Sequence, residues 1–362
     1  MTLPADAHVA ALPLEKLSGG NELLQSGFWG EFKQPFGWKP FAFQWTFHGQ
    51  KGQVLVLVRS FARVFSLAYV PYGPVIPPAF EAELRDHWLA WLGGELRALL
   101  PSSCFMIRFD MTGGNSGKLS DDFSPDFPAP LTFPFYKAPY RVQPQDTVIL
   151  PLHQNLDELL AGMGKKTRYN IKLSARKEVK IRVYQGEEAI SRLPLWYHLY
   201  EETGKRDGIA LHPESYYRRL FSLSEDQPQT SPQFLLYLAS HEGDVLAGII
   251  VSRFGNRATY MYGASGNKKR KLMPNHLLQW TAITDAAKEG SEFYDFFGVP
   301  PTGDAHHPMH GLWRFKTGFG GWLHHYLGAW DFPYSPFLYR LYQCFEKWRE
   351  RQALRRKQKR SR

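Results

Sequence analysis

What most constrains this chain is the way strand-like and helix-like runs take turns along it. QVLVLVRSFARVFSLAYVP (53–71) is dense in Val, Leu and aromatics and reads as two buried strands. GPVIPP then breaks the pattern with a double proline. FEAELRDHWLAWLGGELRALLP (80–101) places Leu and Trp at helical spacing and stops at Pro101, and CFMIRFDM (104–111) returns to a strand. The segment 112–141, rich in Gly, Pro, Ser and aromatics, reads as loop and linker. Upstream, NELLQSGFWGEFKQPFGWKPFAFQWTFH (21–48) passes from a short helix pattern into aromatic strand-like sequence.

The second half repeats the habit. DTVILPL (146–152) is a strand, and NLDELLAGMGKKTRYNIKLSARKEV (155–179) reads as one helix with Asn155 or Asp157 as N-cap. KIRVYQG (180–186) is a strand and EEAISRLPLWYHLYEETGKRDG (187–208) a long helix. Residues 233–266 hold three strands with turns at HEGD and FGN. PNHLLQWTAITDAAKEG (274–290) is a helix with Asn275 as its expected N-cap and Gly290 just past its end, and FYDFFGV (293–299) is a strand. Such interleaving in two halves of similar size favours an α/β pair of related domains.

With 362 residues, 43% of them hydrophobic, the chain can bury a sizeable core. Cys104 and Cys344 lie far apart and follow no ligand spacing, which argues against a disulfide scaffold or a structural zinc. His306, His307 and His310 fall in a Pro/Gly loop without helical i, i+4 spacing, so no metal is expected there. The opening residues lack a basic n-region and no run of about 18 apolar residues occurs, so the expected location is the cytoplasm.

The net charge is +10, which favours polyanionic partners. KWRERQALRRKQKRSR (347–362) carries nine basic residues and one acid, so this tail supplies +8 and cations elsewhere must be judged locally. MGKKTRYNIKLSARKEVKIR (163–182) holds eight Lys or Arg against Glu178. On a helix, Lys165, Arg168, Lys172 and Arg176 share a face, as contact with a row of phosphates requires, while Lys166, Tyr169 and Asn170 stand beside them. A solvated helix face is the plain alternative. In YMYGASGNKKRKLMPNHLLQWTAI (260–283) a strand runs through Lys268, Lys269 and Arg270 into a helix N-terminus, a place that attracts anions. In GLWRFKTGFGGWLHHYLGAWD (311–331), Gly318, Gly320 and Gly321 frame Phe319 and follow Phe315 and Lys316; the glycines either let the backbone approach a ligand or simply turn it.

Taken together, LLQSGFWGEFKQPFGW, YVPYGPV, KKTRYNIKLSARKEVKIRV, YMYGAS, LLQWTAI with AAKEG, YDFFGV and RFKTGFGG span nearly the whole chain. In that order they resemble the Fem family (FemABX) of aminoacyl-tRNA-dependent peptidyltransferases, which build peptidoglycan interpeptide bridges. The resemblance implies an α/β protein of two GNAT-like domains, each a mixed central sheet flanked by helices. It implies domain 1 at 1–145 completed by 328–350, domain 2 at 146–327 and a basic tail at 351–362, with no coiled-coil arm. The implied reaction is acyl transfer from aminoacyl-tRNA to the stem-peptide amine of a precursor, lipid II or UDP-MurNAc-pentapeptide, with aminoacyl-tRNA as co-substrate and no cofactor. A monomer is expected, with peripheral contact with the anionic inner membrane surface.

Residue roles follow from the same resemblance. Lys316 would meet the oxyanion, Asp110 would orient the attacking amine and Tyr262 would hydrogen-bond near the reaction centre. Phe315 would stack the terminal adenine, with Lys165, Lys166, Arg168, Tyr169, Lys172, Lys268, Lys269 and Arg270 along the tRNA. Lys33, Trp38, Arg206 and Tyr217 would hold the precursor. Each has a structural alternative: a strand-end acid for Asp110, a packed tyrosine for Tyr262, surface cations for Lys33 and Arg206, and an ion pair with Asp295 or Asp331 for Lys316. Two rival functions remain at this level. One is an N-acyltransferase using acyl-coenzyme A, which the glycine-free NKKRKLMPN argues against. The other is a non-catalytic protein that binds RNA or a membrane surface.

Overall fold

The computed structural model describes the chain outside residues 1, 62–64, 119–127, 140, 141, 154, 226–230, 361 and 362. In chain order its strands and helices begin with β1 (His8–Leu12), α1 (Gly27–Lys33), β2 (Lys39–Phe47), β3 (Gln50–Phe61), β4 (Phe65–Pro71), α2 (Ala82–Leu99), β5 (Cys104–Lys118) and β6 (Tyr136–Lys137). They continue with β7 (Asp146–Pro151), α3 (Leu156–Gly162), α4 (Lys165–Arg176), β8 (Lys180–Tyr184), α5 (Gly186–Asp207), α6 (Glu214–Glu225), β9 (Gln233–His241), β10 (Asp244–Phe254) and β11 (Arg257–Ser265). The last are α7 (Pro274–Lys288), β12 (Phe293–Gly298), α8 (His310–Thr317), β13 (Trp322–Pro333) and α9 (Pro336–Arg360).

Two compact units emerge. Unit 1 comprises Met1–Asn115, Phe127–Gln145 and Tyr326–Arg362, and unit 2 comprises Ser116–Asp126 and Asp146–His325. In unit 1 the sheet runs β1-β2-β3-β4-β5-β13, with β6 on β13; β1 to β4 pair antiparallel and β4 pairs parallel with β5. A parallel neighbour needs a crossover, and α2 supplies it. The face of α2 that carries Trp88, Leu89, Leu92 and Leu96 is buried, and Trp88 packs 4.8 Å from the Trp45 ring on β2. Each side chain so buried contributes roughly 1.5–3 kcal/mol.

In unit 2 the order is β13-β7-β12-β11-β10-β9-β8, antiparallel except for the parallel pair β11/β12. The crossover is α7, which buries Leu278, Ala282, Ile283 and Ala286 in a core with Ile249 and Val251 of β10. Each unit is therefore a mixed sheet flanked by helices, the α/β class that the sequence implied.

Several local expectations need correction. The single helix read at 155–179 is two. α3 has a capping box between Asn155 and Glu158, then the chain breaks at Met163–Gly164 and α4 begins. The break is held because the Gly164 N–H donates to Gly318 O at 2.9 Å, a bond no helix interior could spare. α7 starts at Pro274, where the range read for it began, but Met273, not Asn275, is its N-cap. Met273 takes φ 54° and offers no side-chain cap, so the preceding loop sets the start rather than local capping. Residues 112–118, read as loop, extend β5 to Lys118. Three helices, α6, α8 and α9, do not stand out in the sequence pattern.

Candidate functional site in two parts

Lys316 sits in the last turn of α8 and is 5% exposed. Its Nζ donates to the carbonyl oxygens of Phe296 (2.6 Å), Phe297 (3.2 Å) and Gly298 (2.9 Å), all at the end of β12, and lies 5.1 Å from the Tyr260 ring centroid. The sequence alternatives for its partner, Asp295 and Asp331, are not what it bonds. Asp331 salt-bridges Arg108 at 2.6 Å in unit 1. Asp295 accepts from Thr147 Oγ1 (2.5 Å) and Phe297 N (2.8 Å) and pairs with Arg257 at 3.4 Å. Burial pushes the Lys316 amine down to about 7, and the Asp295 charge opposes that fall. Near neutrality the group therefore exchanges between a three-donor ammonium and an amine, beside a backbone turn strained by φ 56° at Phe297.

The glycines after Lys316 serve the chain itself. A Cβ at Gly321 (φ 98°) would fall 2.6 Å from Ile149 O on β7, and one at Gly318 would fall 2.5 Å from Thr167 Oγ1 on α4. Between them Phe319 is fully buried, 5.2 Å from Phe296 and 5.4 Å from Phe315. Phe315 is half-buried and meets His276 edge-on at 5.2 Å. His276 Nε2 lies 3.2 Å from Asn170 Nδ2 on α4, and burial, with Lys166 nearby, lowers its pKa to about 4, so the ring is neutral. The motif thus ties α4, α7 and α8 into one aromatic corner.

The basic surface divides on inspection. Lys165, Lys166, Tyr169 and Lys172 are exposed on α4, whose inner face buries Thr167, Asn170, Ile171 and Ser174. Arg168 turns inward: its Nη1 donates to Ala161 O at 2.8 Å and to Met163 O, closing the C-terminal end of α3. In the β11–α7 loop, Lys268 pairs with Asp244 (3.0 Å), and Lys269 pairs with Glu242 (2.9 Å) and Asp244 (3.1 Å). Arg270 is exposed beside them, at a groove of 470 Å³ lined by His241, Asn267, Lys269, Arg270, Lys271 and Leu272. Lys268 and Lys269 are thus already paired with acids, which the sequence, with Glu242 and Asp244 far upstream, did not reveal.

Tyr262 and Tyr217 come together. Their rings meet edge-on at 5.0 Å, in a cluster with Tyr200, Tyr216 and Trp196. Tyr217 is fully buried, and burial among these phenols raises the pKa of both Tyr217 and Tyr262 well above the ordinary value. Both stay protonated donors at neutral pH. Arg206, exposed near the end of α5, pairs with Asp207 (2.9 Å) and donates to Ser265 O (3.0 Å), fastening α5 to β11.

In unit 1, Asp110 is 2% exposed on β5 and accepts from the Tyr69 hydroxyl (2.9 Å) and Gln143 N (3.2 Å). Trp38 packs 5.9 Å from the Tyr69 ring, and the Arg59 guanidinium lies 5.4 Å over Trp38. Lys33 ends α1 over the rings of Trp29 and Phe32, and burial plus the Arg59 charge push its amine down to about 8. Lys33, Trp38 and Asp110 therefore belong to one string of neighbours. Sequence reasoning missed two members of that string, Arg59 and Tyr69, and missed His276 in unit 2, the partner of the Asn170 it had noticed. Arg59 carries no motif; His276 was open to notice as a titratable group in the first turn of a helix. His306, His307 and His310 build no metal cluster, and none occurs among the described residues.

An α/β protein with a buried lysine at the end of a helix, a Gly-rich turn after it and a cationic helix docked on that turn defines a class. Residues 134–230 and 233–347 match the FemAB family model, and the chain belongs to the FemAB family. It is 25% identical over 257 residues to a lipid II:glycine glycyltransferase of Staphylococcus epidermidis, and 24% identical over 262 residues to one of Staphylococcus aureus. Both alignments cover 55% of this chain and 61% of the relative, so the chain spans less than two thirds of their length. Among solved structures, FemX superimposes with a TM-score of 0.72 at 19% identity, covering 93% of this chain and 100% of that one, which establishes the shared fold.

Proposed function

We propose that this chain transfers an amino acid from aminoacyl-tRNA to the stem-peptide amine of a peptidoglycan precursor, as a monomer and without a cofactor. The amine nitrogen attacks the ester carbonyl carbon. A C–N bond forms, the C–O bond to the terminal ribose breaks, and the proton lost by the amine goes to the departing ribose oxygen. The ester is already activated, so the protein needs an oxyanion donor and positioned substrates rather than a nucleophile of its own. Membership of the FemAB family over the stretch that carries α4, the aromatic corner and Lys316 supports this reading. Lys316 supplies the donor, Phe315 receives the terminal adenine, and Lys165, Lys166, Tyr169, Lys172 and Arg270 follow the tRNA. Lys33, Trp38 and Arg206 hold the precursor, with Asp110 and Tyr262 orienting the amine and the buried Tyr217 backing Tyr262. The relatives' printed name makes lipid II the first acceptor to try and UDP-MurNAc-pentapeptide the second.

The β11–α7 loop favours this donor over acyl-coenzyme A. A pyrophosphate is gripped by backbone amides of a glycine-rich turn, whereas residues 267–275 contain no glycine and Lys268 and Lys269 face acids. The test supplies radiolabelled aminoacyl-tRNA or radiolabelled acyl-coenzyme A with each precursor. Label in the precursor from the tRNA alone is the expected result; label from the coenzyme A ester alone would overturn the assignment.

A further inference from the structure

The C-terminal helix α9 has two faces with opposite roles. One seats it on unit 1: Tyr339 is 3% exposed and packs, with Leu338 and Tyr342, against Leu67, Phe105 and Met106. Polar bonds fix the same face. The Tyr339 hydroxyl donates to Asp331 Oδ2 at 3.1 Å, and Glu346 pairs with Arg108 at 3.2 Å. The other face carries Phe337, Leu341, Phe345 and Trp348, at 71%, 54%, 51% and 56% exposure. Their spacing of four, four and three keeps them within about 80° of helix circumference. Phe345 and Trp348 stack with ring centroids 6.0 Å apart. Exposed Cys344 borders the row, and exposed Arg340 and Lys347 lie beyond it on the same side.

Scattered exposed apolar residues are ordinary, but an aligned row of four on a firmly seated helix is not. We propose that this face of α9 docks on an anionic lipid bilayer, the apolar row entering the acyl boundary and the cations meeting headgroup phosphates. Charge complementarity selects this occupant. Residues 347–362 carry nine basic residues and one acid, so a second copy meeting the same face would bring like charge to like. RNA would satisfy the cations but leave the aliphatic and aromatic row without an apolar partner. An anionic membrane surface satisfies both. No described helix is long and apolar enough to cross a membrane, which fits a helix lying in the interface. The inference stands on α9 alone and holds whichever acyl donor the site uses.

The test uses the full chain with vesicles of phosphatidylcholine, with and without phosphatidylglycerol. An environment-sensitive dye on Cys344 reports on the row, since Cys104 is buried. The expected result is flotation with the phosphatidylglycerol vesicles and a blue shift of the dye. The triple variant Phe337→Ser, Leu341→Ser and Trp348→Ser should partition about tenfold more weakly or worse. A melting curve checks that variant, and the dye shift on the otherwise unaltered chain decides the matter if it folds poorly. Equal flotation of both proteins without a blue shift would overturn the proposal. So would a concentration-dependent dimer, seen by sedimentation velocity, that the triple variant abolishes, or loss of RNA binding by the variant with vesicle binding unchanged.

Discussion

The two units share a plan and use it differently. In each, three antiparallel strands lead into a crossover helix and a parallel fourth strand: β2–β3–β4, α2, β5 in unit 1 and β9–β10–β11, α7, β12 in unit 2. Each fourth strand carries a buried acid, Asp110 or Asp295. Asp110 accepts from the neutral Tyr69 hydroxyl and the Gln143 amide. Asp295 accepts from Thr147 and its own turn, pairs with Arg257 and supports the charge of Lys316. One topology thus supplies a carboxylate that holds a tyrosine hydroxyl and a backbone amide in unit 1 and a carboxylate that serves a cation in unit 2. Topology sets where an acid stands; its neighbours decide what it can do.

Lys316→Met tests the unit 2 side and should have the largest effect. An oxyanion donor is worth on the order of 100- to 1000-fold in turnover, and its loss should leave affinity for either substrate nearly unchanged. The structure adds a second cost, because methionine leaves the carbonyls of Phe296, Phe297 and Gly298 without their donor. A stability loss of roughly 1–3 kcal/mol should accompany the kinetic one. Single-turnover rates per folded molecule separate the two; a normal rate with a lowered melting temperature would reduce Lys316 to a brace for β12. Lys316→Arg should rescue poorly, because a planar fork cannot meet three carbonyls around one point. In unit 1, Asp110→Asn keeps an acceptor for Tyr69 and removes the charge. It should cost about 100-fold in turnover, within the range for positioned acid–base groups, and little in melting temperature.

The basic helix sharpens the contrast further. Lys165→Glu with Lys166→Glu should weaken aminoacyl-tRNA binding about tenfold at low salt and lower the salt slope by roughly two, one for each lost phosphate contact. Arg168→Gln should instead lower stability by about 1 kcal/mol and spare the tRNA, since its guanidinium caps α3. Filter binding over a salt series, with melting curves for both variants, checks the pair. Identical salt slopes in wild type and the double variant would remove α4 from the interface.

Lys33 gives a smaller effect with a definite sign. Its folded pKa, about 8, lies below the unfolded value of 10.5. Between those values the unfolded chain binds more protons, so stability rises with pH across that window. Below about pH 8 the cost of burying the charge is present in full. Lys33→Met should flatten the rise, measured as chemical unfolding at several pH values; an unchanged slope would mean that the amine is solvated.

What was legible in the sequence was whatever neighbours along the chain decide. The Asn155 cap needs only Glu158 three residues on, and Gly290 follows α7 with φ 83°. The alternating strands and helices carried the fold class. What was not legible depends on distant partners. β5 continues through GGNSGK, residues of low strand propensity. The break before α4 is held by Gly318, over 150 positions away. RFKTGFGG pointed to Lys316, but the carbonyls that hold its amine come from β12. The α9 row went unread because the tail was judged by charge, while only the seated helix shows which face is left outside.

The crossover helices also begin differently, and here the smallest effect is expected. α2 starts from Glu81 in extended conformation, whereas α7 starts from Met273 at φ 54° after Lys269 at φ 47°. A non-glycine residue in this region costs roughly 1–2 kcal/mol. The two strained residues bracket the turn Arg270–Leu272 and present Arg270 and Lys271 to solvent at the groove. Met273→Gly relieves the strain at one bracket, so stability should rise by about 1 kcal/mol, less what glycine loses in chain entropy. If the strained loop aims cations at tRNA, the same change should loosen that aim and weaken binding a few-fold. Glu81→Gly in unit 1 relieves nothing and should only destabilise, which makes it the control. A rise in melting temperature with unaltered tRNA affinity would leave the strain real but without a role in binding. A fall in melting temperature would show that the Met273 side chain holds α7 through packing that outweighs its backbone cost.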